Sequence, residues 1–211
     1  MTRGRFITVE GIEGVGKSTN MTFIATMLDE SGIPVLRSRE PGGTPTAERI
    51  REILLEHGDE PMPPIAEMLL FFASRSLHLE NAIRPALAAG TWVLCDRFTD
   101  ASRAYQGIAR QLGLERIDTL ADWVHDGLEP DLTLLLDAPS AVGLSRAGRR
   151  GQADRMESET ESFYERAREA YLQLARENPQ RFRVIDAAQP LKSVQAAIAE
   201  MVRGLIEKSH Q

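Results

Sequence analysis

Across its 211 residues the chain has a single cysteine, Cys95. No internal disulfide can form, and the expectation is a reducing, cytoplasmic setting with an inert thiol buried in a strand. The four histidines, His57, His78, His125 and His210, show neither metal-ligand spacing nor a nucleophile partner. No apolar run approaches the length needed to span a bilayer. Met1-Thr2-Arg3-Gly4-Arg5 leads into a strand pattern rather than the apolar region of a signal peptide. Positive charge is also in deficit. The 25 Lys and Arg against 31 Asp and Glu leave a net charge of -6, which argues against a general nucleic-acid surface. Repeats and low-complexity tracts are missing too. What survives is a globular protein, one domain over 1–211 or one domain with a movable flap, open to a small anionic ligand in a locally basic pocket.

What is present is concentrated near the start. The β-branched run Phe6-Ile7-Thr8-Val9 leads through Glu10 into Gly11-Ile12-Glu13-Gly14-Val15-Gly16-Lys17-Ser18-Thr19, the full Walker A spacing. Glycines let consecutive N–H groups curl inward into an anion-binding nest, and the helix starting near Lys17 adds its positive end. Lys17 is placed to reach β- and γ-phosphates, and Ser18 to ligate Mg²⁺. The pattern implies binding of a nucleoside triphosphate.

Beyond the loop, short apolar runs alternate with helical patterns. The expected strands are Phe6–Val9, Val35–Ser38, Trp92–Cys95, Leu132–Leu136 and Arg183–Ile185, each without polar alternation, as for strands buried on both faces. The expected helices are Thr19–Glu30, closed by Gly32 with Pro34 beyond, then Thr46–Glu56, and a long one from Ile65 to Ala89 bent at Pro85. Glu115–Asp126, Ser158–Glu177 and Leu191–Lys208 complete the set. This alternation predicts a doubly wound α/β fold, a five-stranded parallel sheet flanked by helices with its ligand at the carboxyl ends of the strands. One stretch departs from it: Arg146 to Arg155 is arginine-rich, flanked by glycine and without apolar periodicity. It reads either as a solvated basic loop or, after a Walker A motif, as a lid (about 143–158) that neutralises charge on a triphosphate.

Three further clusters fall after strands or on a facing helix. Arg39-Glu40-Pro41-Gly42-Gly43-Thr44 is first of all a turn, yet its Arg–Glu pair suits a phosphate, with Arg51 on the next helix able to point back. Asp96-Arg97 reads either as a capping carboxylate with a surface arginine or as a Mg²⁺ ligand beside a phosphate grip. Phe71 and Arg75 share a helix face; spacing alone favours a core Phe71, and stacking on a base is the alternative. Two phosphate grips on one sheet suggest transfer between nucleotides. A monophosphate acceptor needs no general base, since its second pKa lies near 6.

Together these segments resemble the thymidylate kinase family. The likeness runs through Glu10–Thr19, Arg39–Thr44, Phe71-x-x-x-Arg75, Asp96-Arg97-Phe98, Ala104-Tyr105-Gln106-Gly107, Pro130-Asp131-Leu132-Thr133 and Asp154-Arg155. The resemblance implies a P-loop NTPase fold and transfer of a phosphoryl group from ATP, with Mg²⁺, to dTMP, giving dTDP on the way to dTTP. It further implies that Phe71 stacks on thymine, that Arg75, Ser102 and Gln106 read the base, and that Tyr105 lies against the deoxyribose. Glu13 accepts from the 3′-hydroxyl, and Arg39, Arg51 and Arg97 surround the dTMP phosphate, with Glu40 holding arginines nearby. Asp96 orients Arg97 and the metal. Adenine falls near Asp186-Ala187-Ala188-Gln189. Some members carry an arginine at the position of Gly14; its absence passes the catalytic charge to lid arginines, Arg146, Arg150 and Arg155, as in bacterial-type enzymes. Arg149 is an addition to that lid, and Ile108-Ala109-Arg110 replaces a glycine-rich run. A homodimer is implied as well. The competing readings are another P-loop kinase and a nucleotide-dependent switch.

Overall fold

The computed structural model describes residues 3–148 and 154–209. Five parallel strands form the sheet: β1 (Phe6–Glu10), β2 (Val35–Arg39), β3 (Trp92–Asp96), β4 (Leu132–Asp137) and β5 (Phe182–Asp186), in the order β2-β3-β1-β4-β5. The central strand β1 is buried at all five positions, and β4 nearly so, because helices cover both faces. Every expected strand is present, each reaching one residue further at its carboxyl end.

That extra residue places the chemistry. In the register, Arg39 lies beside Asp96 and Asp96 beside Val9, with Glu10 opposite Leu135. Three strand ends thereby deliver Arg39, Asp96 and the entry to the glycine loop in one row. The order reverses at β1, between β3 and β4, where a crevice opens above the carboxyl ends.

Helix α1 (Lys17–Glu30) ends as its sequence demands: Gly32 takes φ 70, and the N–H of Ile33 returns to the Leu28 carbonyl at 2.9 Å. Helix α2 (Pro45–Leu55) starts at Thr44, whose hydroxyl accepts from the Ala47 N–H. The expected long helix is divided into α3 (Pro64–His78), a π-helical segment Leu79–Ile83 and α4 (Arg84–Ala88). Pro85 has no N–H to donate, and the π turns lie just where its helical bond would form. Helices α6 (Leu114–His125), α8 (Glu161–Glu177) and α9 (Leu191–Ser209) match expectation within a few residues. Two helical segments went unread: α5 (Thr99–Ser102), continuing as π-helical Arg103–Ala109, and α7 (Ser140–Ala147). The second π segment packs against α8, where Tyr105 meets Phe163 and Tyr171 at ring-centroid distances of 5.9 and 6.1 Å. Each such buried ring contributes roughly 2 kcal/mol of burial.

Candidate active site

The loop between β1 and α1 has the backbone that its glycines permit. Gly11, Gly14 and Gly16 adopt φ of 130, 73 and 94, conformations that side-chain-bearing residues rarely take. No side chain caps the start of α1, so its first N–H groups face the crevice. Lys17 folds back over the loop, donating to the carbonyls of Gly11 at 3.0 Å and Ile12 at 2.9 Å. Desolvation, aided by the nearby Arg97 guanidinium, lowers its ammonium from 10.5 to about 8. Thr19, expected among the nucleotide-binding residues, stands exposed on the first turn of α1.

Glu13, Gly14, Lys17 and Ser18 also form one wall of a cavity of about 240 Å³. Along another wall lies Arg97, at φ 70. Its guanidinium donates to Glu13 Oε1 at 2.7 Å, to the Tyr171 hydroxyl at 3.2 Å and to the Tyr105 hydroxyl at 3.3 Å. The Tyr105 hydroxyl in turn donates to Glu13 Oε2 at 2.6 Å. The loop carboxylate is therefore bound at both oxygens to the far side of the cavity. The expected orienting of Arg97 by Asp96 is replaced by this set; Asp96 Oδ1 is buried with no partner among the described residues.

Beneath Arg97 lies a carboxylate that sequence reading passed over. Glu10 ends β1 fully buried, accepting from the Phe98 N–H at 2.7 Å and from the Tyr171 hydroxyl at 2.7 Å. Burial, reinforced by the Asp100 charge, pushes its carboxyl up from 4.5 to about 8.

The Arg39–Glu40 pair is not a pair. Arg39 donates to Glu48 at 2.7 Å, and Glu48 also accepts from the Gly43 N–H at 2.8 Å. Glu40, buried, instead accepts from Arg75 Nε at 2.6 Å and from His78 Nδ1 at 3.0 Å. Burial works to raise the Glu40 carboxyl, but the Arg75 charge and the His78 bond hold it below the usual carboxylate range. Arg51 reaches back as expected, to the Pro41 carbonyl at 2.9 Å. Arg75 is itself 1% exposed and spends Nη2 on the Phe98 carbonyl and the Ser102 hydroxyl, leaving Nη1 unpartnered among the described residues. Its neighbour in the core is Phe72, whose ring lies 4.7 Å from the guanidinium carbon. Phe71 is half-buried and lines the cavity, which corrects the core reading that spacing favours. Arg39, Arg51, Arg75, Phe71, Ser102, Tyr105 and Gln106 all line this one cavity.

The arginine-rich stretch divides. Arg146 is on α7 and donates to the Ala187 carbonyl at 3.1 Å, in the loop after β5. Arg155 is turned to the base of α3, donating to Glu67 at 2.7 Å and to the Leu54 carbonyl at 2.8 Å. Arg149 and Arg150 lie outside the described residues. Helix α7 meets the glycine loop in a close backbone approach: a Cβ on Gly143 would lie 2.4 Å from the Glu13 carbonyl, and one on Gly14 1.8 Å from the Gly143 carbonyl.

Glu10, Glu67, His78 and Tyr171 are the site-forming residues that sequence reading missed. A signal existed for two of them. Glu10 closes an otherwise apolar strand, and Glu67 precedes Phe71 and Arg75 at successive four-residue steps on one helix face.

Comparison with known proteins meets this geometry. The thymidylate kinase family model matches residues 9–198. A thymidylate kinase from Pseudomonas putida (strain GB-1) is 55% identical over 205 residues, covering 97% of this chain and 98% of that one. One from Alkalilimnicola ehrlichii is 53% identical over 209 residues, covering 99% and 96%. The crystal structure of thymidylate kinase from Ehrlichia chaffeensis superposes with a TM-score of 0.77 at 31% identity, over 95% of this chain and 99% of that one. The glycine loop, the cavity it shares and the near full-length likeness agree, and the chain belongs to the thymidylate kinase family.

Proposed function

We propose that the cavity holds dTMP and that the loop Gly11–Thr19 holds the triphosphate of ATP, within a single kinase domain. The enzyme transfers the γ-phosphoryl group of ATP to dTMP, giving dTDP and ADP. The observation that carries the site assignment is the shared wall: Glu13, Gly14, Lys17 and Ser18 belong both to the triphosphate loop and to the cavity lined by Phe71, Arg75 and Gln106.

In this reading Phe71 stacks on the thymine, while Arg75, Ser102 and Gln106 meet its polar edge. Tyr105, fixed on Glu13, stands against the sugar, and Glu13 accepts from the 3′-hydroxyl. Arg39, Arg51 and Arg97 surround the acceptor phosphate, with Glu40 and Glu48 holding arginines in place. The acceptor oxygen is anionic at neutral pH, so no general base is required. The chain's work is to bring two polyanions together and to offset their charge, through Lys17 and Arg97 on the loop side and Arg146, Arg150 and Arg155 on the lid. The Arg155–Glu67 pair means that Arg155 acts either at the lid root, as placed, or after leaving Glu67. Ser18 and Asp96 suit Mg²⁺, because an orphaned buried carboxylate oxygen and a hydroxyl at the head of α1 belong to residues lining one cavity. Held by these two residues, the ion would supply positive charge to offset that of the phosphates.

No helix among the described residues is long and apolar enough to cross a membrane. Ile65 and Leu69, on one face of α3 and half exposed, with Trp123 on α6 at 78% exposure, support a homodimer packed through these helices. The buried Cys95 suits a cytoplasmic setting. A coupled ADP-release assay with dTMP, dUMP, UMP, dCMP and dGMP tests the function: dTMP is the preferred acceptor, and preference for another refutes the reading.

A further inference from the structure

Of the buried charged groups that this mechanism leaves unused, Glu67 is the most heavily engaged. It is on α3, one turn before Phe71, and 1% exposed. Its Oε1 accepts from Gln106 Nε2 at 2.9 Å and from Arg110 Nε at 3.2 Å. Its Oε2 accepts from Arg155 at 2.7 Å and from Arg110 Nη2 at 3.1 Å. Burial acts to raise its carboxyl, but the bonds from Gln106 and the arginines outweigh burial and keep it ionised. An ionised carboxylate has no proton to offer, so the Gln106 amide has only one satisfactory orientation. Its NH₂ faces Glu67, and its carbonyl oxygen faces away, with no partner among the described residues. Gln106 lies one helical turn from Ser102, which holds Arg75, and all three line the cavity. Arg75 is fixed in the same manner by Glu40, with Nη1 left to donate.

We propose that Glu67 is a specificity-determining positioning residue: by holding the Gln106 amide with its carbonyl toward the cavity, it sets an acceptor near the Arg75 donor. That pattern matches a pyrimidine with a 4-keto group and an N3–H, and it mismatches one with a 4-amino group and a bare N3. The inference rests on the cavity being the dTMP site. Glu67 reads nothing itself. It removes the alternative amide orientation that would let the wall adapt to the wrong base, and a buried polar wall that cannot adapt is what rejects a near-isostere strongly.

The test compares kcat/KM for dTMP and 5-methyl-dCMP, which differ only at the 4-substituent and N3. In Glu67→Gln the residue facing Gln106 can donate as well as accept, freeing the Gln106 amide to turn. The dTMP to 5-methyl-dCMP ratio falls by about tenfold or more. Arg110→Gln removes a cation from Glu67 but keeps the Glu67–Gln106 bond; both rates fall together and the ratio holds. An unchanged ratio in Glu67→Gln, or a ratio that drops as far in Arg110→Gln as in Glu67→Gln, overturns the proposal. Wild-type enzyme that does not prefer dTMP refutes the site assignment instead. Should Glu67→Gln not fold, ¹⁵N NMR of the wild-type Gln106 side chain decides. Amide protons protected from exchange both before and after dTMP addition support the lock. Protection gained only with dTMP bound overturns it, since the NH₂ would then face the base.

Discussion

Glu10 makes stability depend on pH in a direction opposite to that of most carboxylates. Its folded value of about 8 stands above the ordinary 4.5, so the folded chain keeps a proton that the unfolded chain has released. The stability it contributes is complete below 4.5 and is lost as pH rises through about 8. At about 1.4 kcal/mol per pH unit, the gap caps that loss at about 5 kcal/mol. Glu10→Gln is a neutral isostere of the protonated form, able to keep the bond from the Phe98 N–H. Urea unfolding followed by circular dichroism from pH 5 to 9 reads the effect. The two proteins are expected to lie close together at pH 5, with the variant pulling ahead by a few kcal/mol by pH 9. Lys17 acts in the opposite sense and in a higher window, gaining stability as pH rises from about 8 toward 10.5, and it is common to both proteins. Parallel curves, or a wild type that gains on the variant as pH rises, would refute the reasoning.

Lys17→Ala lowers kcat/KM by about 10²-fold or more with an unchanged far-ultraviolet spectrum, because a preorganised charge at the transferred group is lost; near-normal turnover counts against its phosphate role. Gly143→Ala places a methyl 2.4 Å from the Glu13 carbonyl and forces α7 off the loop. A displacement of about 1 Å there lowers kcat by up to about 10²-fold, while calorimetric dTMP affinity changes little; a wild-type kcat would show that α7 does not position the loop. Phe71→Ala raises the KM for dTMP by about 10- to 100-fold, the equivalent of about 1–3 kcal/mol of base stacking. A change in Tm with no change in KM would return Phe71 to a structural role.

The sheet was legible because its strands are short apolar runs that end at charge, although burial on both faces holds only for the inner strands β1, β3 and β4; the edge strands β2 and β5 are partly exposed. The glycine loop was legible because its backbone demands its own residues. Helices α5 and α7 were not, since each is short. The π segment Arg103–Ala109 has no 3.6-residue period to detect, yet it carries Tyr105 and Gln106 to the cavity. Pairings were the least legible. Arg39 and Glu40 are adjacent in sequence, but Arg39 ends β2 while Glu40 begins the turn and is buried, so they find Glu48 and Arg75 instead. Glu10 and Glu67 carry a positional signal in the sequence, but the partners that hold them appear only once the fold buries them.

The backbone contact between the glycine loop and α7 bears on how such a site can change over time. A side chain at position 14 would begin 1.8 Å from the Gly143 carbonyl, so no arginine can be accepted there while α7 keeps its seat. Retreat of α7 would in turn draw Arg146 away from the Ala187 carbonyl. If the lid supplies the catalytic guanidinium, moving it to the loop has no single-substitution route while α7 keeps this seat. The helix must shift first, through a form with neither arrangement complete, and the two placements stand as alternative solutions separated by a valley.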